Sequence, residues 1–216
     1  MRMEERSWIQ EFLSIPGNEL FCEVDVEFII DRFNLTGINT SPERMQDIID
    51  VVTGYGNEFD SYGDPDMVDD PTEIMARHFY GMVHARFILS TRGIQKMLAK
   101  YLNGEFGKCP RALCRGQAVV PIGLHDIPHV SFVKLYCPKC EDIYHPFPLR
   151  QSSIDGAYFG TTAPAMMFQA YQKYIPRHSS EQFVLKVFGF KIHEHAELAR
   201  WQQKKRAELE QERSAQ

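Results

Sequence analysis

Apolar residues in the first hundred positions recur at helical spacing, broken by turn residues. Trp8, Ile9, Phe12 and Leu13 share one face behind Ser7, which suits an N-cap, and Pro16-Gly17 stops the run. Shorter helices are predicted from Val26 to Phe33 and from Pro42 to Val52. The tetrapeptide Asp70-Pro71-Thr72-Glu73 has the form of a capping box with proline at the first helical position. It opens the longest helical pattern, with Met75, Phe79, Met82 and Val83 three or four residues apart. That helix should yield near Ser90-Thr91-Arg92-Gly93. Thr91 would then cap another helix, carrying Ile94, Met97, Leu98 and Tyr101 to its end at Asn103-Gly104. Beyond Gly104 the texture changes. Prolines, glycines and period-two segments take over, and VSFVKLY (130–136) and FVLKVFGFKI (183–192) read as strands. The last stretch, from about residue 194, is polar, balanced in charge and helix-prone.

Composition narrows the class. With 216 residues, 44% of them hydrophobic, the chain can bury an ordinary core. A net charge of −5 argues against nucleic acid as the main partner, because phosphate binding needs a basic face. No apolar run approaches the roughly 18–20 residues that cross a bilayer, and acids interrupt the N-terminus where a signal peptide would need apolar residues. The chain reads as a soluble intracellular protein with no membrane partner.

Four of the five cysteines fall between Cys109 and Cys140, spaced C-x4-C, 22 residues, C-x2-C. In a reducing compartment such pairs suit zinc, which binds four thiolates tetrahedrally at about 2.3 Å from tight turns. Two disulfides or buried thiols are the alternatives. A four-sulfur zinc has no open position for water, so Cys109, Cys114, Cys137 and Cys140 predict a structural Zn(2+), not a catalytic one. Such a metal supplies roughly 10–16 kcal/mol in small modules, comparable to a whole domain's stability of about 5–15 kcal/mol. Cys22 reads as a core thiol. Phe106, Ala112, Val119, Ile143 and Tyr144 flank the cysteines. They suit either the ribbon's own core or a self-complementary two-fold contact.

Several long motifs together resemble the regulatory beta subunit of casein kinase II. They are GNELFCEVDVEFIIDRFNLTGI, YGMVHARFILSTRGIQKMLAKY, FGKCPRALC, PIGLHDIP, VKLYCPKCEDIY, IDGAYFGT and FGFKIH. The resemblance runs from about Ser7 to His193. It implies an α+β fold: a helical N-terminal domain with an acidic loop (5–104), a four-cysteine zinc-ribbon β domain for dimerisation (105–161) and a C-terminal partner-docking strand segment (162–193). The polar tail (194–216) lies outside it and receives no role.

The resemblance also implies a non-catalytic chain. Its zinc ribbon would pair two copies through Phe106, Pro110, Ala112, Ile143 and Tyr144. The homodimer would carry two casein kinase II catalytic alpha subunits, stabilising the tetramer and modulating Ser/Thr kinase activity and substrate choice. Docking anchors would be Met166, Met167, Phe168, Phe188 and Phe190. Period two places Phe188, Phe190 and Ile192 on one strand face, and a plain core strand is the alternative. Cytoplasmic and nuclear localisation is expected.

Met45 to Ala76 holds nine acids and no lysine or arginine. Composition alone suits a solvated loop. The resemblance makes Glu58, Asp60, Asp64, Asp66, Asp69 and Asp70 candidates for binding polyamines or basic proteins. Tyr55, Phe59 and Tyr62 dilute that charge, which weakens concerted binding. Ser7, followed by Trp8 and Ile9, suits a helix cap better than an autophosphorylation site. Kinase, phosphate-loop and nucleophile-elbow motifs are missing. A zinc-ribbon nucleic-acid or transcription module is the alternative function, weakened because the charges of 105–145 nearly balance. A zinc-dependent hydrolase would need a water or carboxylate on the metal.

Overall fold

The computed structural model describes residues 7–38, 42–54, 71–147, 149–178, 184, 186–191, 193 and 196–214. Residues 1–179 form one compact unit and residues 180–216 a second. No described helix is long and apolar enough to cross a membrane.

Five helices open the first unit: α1 (Trp8–Ser14), α2 (Val26–Ile30), α3 (Pro42–Thr53), α4 (Pro71–Phe87) and α5 (Thr91–Asn103). Ser7 caps α1 through a reciprocal box in which its hydroxyl accepts the Gln10 N–H and Gln10 Oε1 accepts the Ser7 N–H. Helix α2 stops at Ile30, three residues short of the predicted end, and Phe33 is left 84% exposed. Helix α4 begins at Pro71 as predicted. However, the Glu73 carboxylate accepts the Trp8 indole N–H at 2.8 Å and pairs with Arg77 at 2.7 Å. The cap of α5 is Ser90, not Thr91: its hydroxyl accepts the Gly93 N–H at 3.1 Å. Gly104, at φ 72°, closes α5 in the left-handed conformation that glycine adopts at low cost.

A three-stranded antiparallel sheet follows, ordered β1 (Val120–Ile122), β2 (Lys134–Cys137) and β3 (Asp142–Tyr144). In register, Val120 faces Tyr136, and Leu135 faces Tyr144. Leu135 and Cys137 point inward from β2 and are buried. The stretch 130–133, predicted as strand, lies outside β2. Helix α6 (Ala163–Ala170) completes the unit.

The helices and the metal ribbon share one core. Tyr101 of α5 meets Phe168 of α6 edge-on at 5.5 Å, and its hydroxyl accepts from Gln117 Nε2 at 2.9 Å. The motifs around Gly123 and Gly156 are packing devices. A Cβ on Gly123 would stand 2.2 Å from the Gly156 carbonyl oxygen, while Gly123 N–H donates to Gly160 O at 2.8 Å. Only a glycine permits that approach.

An aromatic cluster of Trp8, Phe12, Phe21, Tyr80 and Phe159 surrounds two buried polar groups. Tyr80 donates to Cys22 O and accepts from Val24 N, both at 3.1 Å. His84 is wholly buried. Its Nδ1–H donates to Tyr158 O at 2.8 Å, and its Nε2 accepts the Cys22 N–H at 3.1 Å, a pairing that needs the neutral ring. Cys22 is a core thiol at 3.5 Å from His84 Nε2, and burial pushes it up to about 12.

In the second unit, β4 (Lys186–Val187) and β5 (Phe190–Lys191) make a hairpin, and α7 (Glu197–Ser214) is an 18-residue helix, one residue longer than α4. The hairpin corrects the continuous strand expected over 183–192. Phe188 and Gly189 form a two-residue turn with φ 49° and 85°, the signs of a type I′ turn. The segment expected as one docking element (162–193) is thereby divided, with α6 in the first unit and the hairpin in the second.

Burial holds the His84 imidazole at about 4, against an ordinary value of about 6.5. The folded value is the depressed one, so unfolded chain binds more protons between these limits. His84's contribution is therefore complete above pH 6.5 and is lost on acidification towards pH 4. Chemical denaturation of wild type and His84→Gln should show their stability difference narrowing by about 2 kcal/mol from pH 7.5 to pH 5.0. A constant difference would contradict the neutral buried ring.

Candidate metal centre

The Sγ atoms of Cys109, Cys114, Cys137 and Cys140 all lie within 4.8 Å of one another. Cys109 and Cys140 are 3.9 Å apart, and Cys114 and Cys137 are 4.0 Å apart. A tetrahedral thiolate site with bonds of about 2.3 Å needs sulfurs about 3.8 Å apart. A disulfide needs about 2.05 Å, so the disulfide alternative fails and all five cysteines are free.

Two turns aim these sulfurs. Ala112–Cys114 forms a 310 turn followed by Arg115 and Gly116 at φ 55° and 75°, returning the chain so that Cys109 N–H donates to Gln117 O at 2.7 Å. The second turn, Cys137 to Glu141, closes with Glu141 N–H on Cys137 O at 2.8 Å and Glu141 at φ 56°. Backbone N–H groups of Lys139 and Cys140 act on the Cys137 sulfur, and that of Asp142 acts on Cys140. Tyr144 Oη lies 3.4 Å from Cys140 Sγ, Arg111 hydrogen-bonds the same sulfur, and Lys139 Nζ donates to Cys114 O at 3.2 Å. These donors and cations orient the ligands and offset the excess negative charge of four thiolates around a dication.

Burial pushes the Cys114 thiol up to about 11 and raises Cys137 as well. Burial also opposes ionisation of Cys140, but hydrogen bonds from Tyr144, Cys137 and Cys114 outweigh it and bring that thiol down to about 7. Unaided, the cluster therefore favours one thiolate hydrogen-bonded by its neighbours. Four thiolates require a metal ion, and the residues present fit one. Histidines stand elsewhere: His145 lies 3.1 Å from Lys134 Nζ, and His129 stacks on His78. A quartet of sulfurs leaves no open coordination position for hydrolytic chemistry.

Of the residues expected at a two-fold contact, Pro110, Ala112 and Ile143 are exposed and Tyr144 is half-buried. Phe106 is buried under the Lys100 ammonium, 5.7 Å from its ring centre, and belongs to the core. The Tyr144 hydroxyl is also committed to Cys140, a role the sequence reading missed and the C-x2-C-x3-Y spacing could have suggested. Of the expected docking residues on α6, Met167 and Phe168 are buried and Met166, 41% exposed, faces out. Helical geometry turns adjacent residues 100° apart, so three consecutive residues do not share a face. Phe188 and Phe190, in the second unit, are 96% and 78% exposed. Glu58, Asp60, Asp64, Asp66, Asp69 and Asp70 lie outside the described residues.

A family model for the casein kinase II regulatory subunit matches residues 7–191. The chain is 48% identical over 202 residues to casein kinase II subunit beta-2 of Neurospora crassa, covering 94% of this chain and 70% of that protein. It is 46% identical to casein kinase II subunit beta of Schizosaccharomyces pombe, covering 89% of this chain and 82% of the relative. With subunit beta′ of Saccharomyces cerevisiae it shares 43% identity, covering 94% and 78%.

Replacing Cys137 with serine removes a buried ligand. Metal per chain, measured by elemental analysis after purification, should fall from about one to below about 0.1. Unchanged metal content would exclude the quartet as the binding site.

Proposed function

Because the chain belongs to the casein kinase II regulatory subunit family, whose members are not the catalytic chains, we propose that it is a zinc-stapled homodimer that docks two kinase catalytic alpha subunits. In that assembly it stabilises the holoenzyme and modulates activity and substrate choice. The metal is structural Zn(2+), a reading supported by sulfurs at tetrahedral spacing and a coordination shell they would close.

Pairing of two ribbons would use Pro110, Ala112, Ile143 and the exposed part of Tyr144, presented by the two cysteine turns and β3. Ala112 gives this contact little apolar depth, since each buried methylene contributes about 0.8 kcal/mol. The acidic residues between 58 and 70 would bind polyamines or basic proteins.

Docking rests on the hairpin tip. Phe188 is a bulky side chain at positive φ and 96% exposed, in a turn that glycine, asparagine or aspartate would make more cheaply. It gains nothing from its own unit. A residue kept against both backbone and solvation preference points to a function outside the chain. Phe190, 78% exposed on β5, stands beside it, and the two make an apolar plug for a groove on another protein.

Mixing the protein with a casein kinase II alpha subunit should give a two-plus-two complex by light scattering. Replacing both Phe188 and Phe190 with alanine should weaken capture by about a thousandfold, at about 2 kcal/mol for each lost anchor. The regulatory dimer should stay intact. Undiminished capture by the double variant would refute the docking assignment.

A further inference from the structure

Besides the sulfur quartet, the first unit carries a second cluster of titratable side chains. His78 lies midway along α4, and His129 sits in the loop between β1 and β2. Asp155 caps the 310 turn Gly156–Tyr158. The two imidazoles stack, their centroids 5.5 Å apart and their planes 15° from parallel. His78 Nδ1 is 3.0 Å from Tyr158 Oη. His129 donates its backbone N–H to Asp155 Oδ2, and its Nδ1 stands 3.6 Å from the same oxygen.

The ends of the loop are fixed, by Gly123 N–H on Gly160 O and by buried Val133, whose N–H donates to Ile154 O, both at 2.8 Å; its middle is held by short polar contacts. Asp126 accepts from Thr161 N at 2.8 Å and Oγ1 at 3.2 Å, and Gly156 N–H donates to Ser131 O at 2.8 Å. Ile127, Val130 and Phe132 are 68%, 52% and 59% exposed, so they supply little core to hold it. His129 sits at φ 65°, a conformation costly for a residue with a Cβ. Its side chain is 80% exposed and finds its support in the His78 ring and Asp155.

We infer that the His78–His129 stack is an acid-released latch, tethering the β1–β2 loop (123–133) to α4 while His78 is neutral and letting it go when both rings are charged. The charged groups acting on His78 are His129 and Asp155. Other nearby charges are engaged: Glu73 with Arg77 on α4, and Asp126 with Thr161. With both rings charged, two cations stand face to face, and the one carboxylate beside them, Asp155, lies 3.6 Å from His129 Nδ1. Burial and the charge of His129 lower the His78 value below its ordinary 6.5, against the opposing pull of Asp155. The tether is therefore complete above pH 6.5 and is lost as pH falls through that lowered value. This device is independent of kinase docking and of the metal.

Hydrogen exchange of the full-length, metal-loaded protein tests it. The reporters are the His129 and Gly156 amides, as protection factors at pH 7.5 and pH 5.0. Wild type should lose about tenfold protection at these amides. The Cys109 and Glu141 amides in the metal turns should keep theirs, showing that the metal site is intact. His78→Phe preserves a stacking ring without a proton site, and the pH-dependent loss should shrink to less than about twofold. His129→Gly, which suits positive φ, should abolish the pH response by removing one ring, and it decides the matter if His78→Phe does not fold. Equal wild-type protection at both pH values would overturn the latch. So would a full tenfold loss persisting in the variants that fold.

Discussion

Four sulfur atoms drawn within 4.8 Å of one another can all be thiolates only around a cation. Two unit charges about 4 Å apart repel by about 4 kcal/mol even at an effective dielectric of 20. Burial raises the Cys114 and Cys137 thiols further from ionisation. A dication would reverse that balance and make a rigid corner of the two cysteine turns. The second of these turns joins the end of β2 to the start of β3. Pro110, Ala112 and Ile143 are presented to solvent because their neighbouring cysteines are turned inward.

The corner is not a free-standing module. Tyr101, Gln117 and Phe168 tie it to α5 and α6, and His84 ties α4 to the N-terminal segment and to Tyr158. His84 and Tyr80 place satisfied polar groups inside an aromatic cluster, where a misplaced partner would leave a buried donor or acceptor unpaired. Such groups select one arrangement of the helices. The buried imidazole thus converts loose apolar packing into a single geometry through hydrogen bonds, as a metal held by the quartet would through coordination.

Local chemistry was legible in the sequence wherever a short-range rule operates. The Ser7 cap, the Pro71 helix start, the Gly104 stop and the four-sulfur spacing each depend on a few neighbouring residues. Reading failed where the deciding partner is distant. The pattern does not show that Trp8, 65 positions away, donates to Glu73, or that Met167 and Phe168 sink into a core built partly by Tyr101. Phe188 leaves the strand because Gly189 makes a two-residue turn with it, which a period-two pattern conceals. The His78–His129 stack joins residues 51 positions apart and has no local signature. Family resemblance carried the zinc, dimer and docking expectations further than spacing could. It did not reveal that the Tyr144 hydroxyl lies against the Cys140 sulfur or that Phe106 lies in the core.

The central claim is that one metal ion per chain holds the ribbon and, through it, the pairing of two chains. Sedimentation equilibrium across a graded zinc-chelator titration, with zinc measured on the same samples, tests this most directly. The account predicts that mass falls from dimer towards monomer in step with zinc loss, and that both recover when zinc is restored. A folded dimer that persists with no metal bound would contradict it.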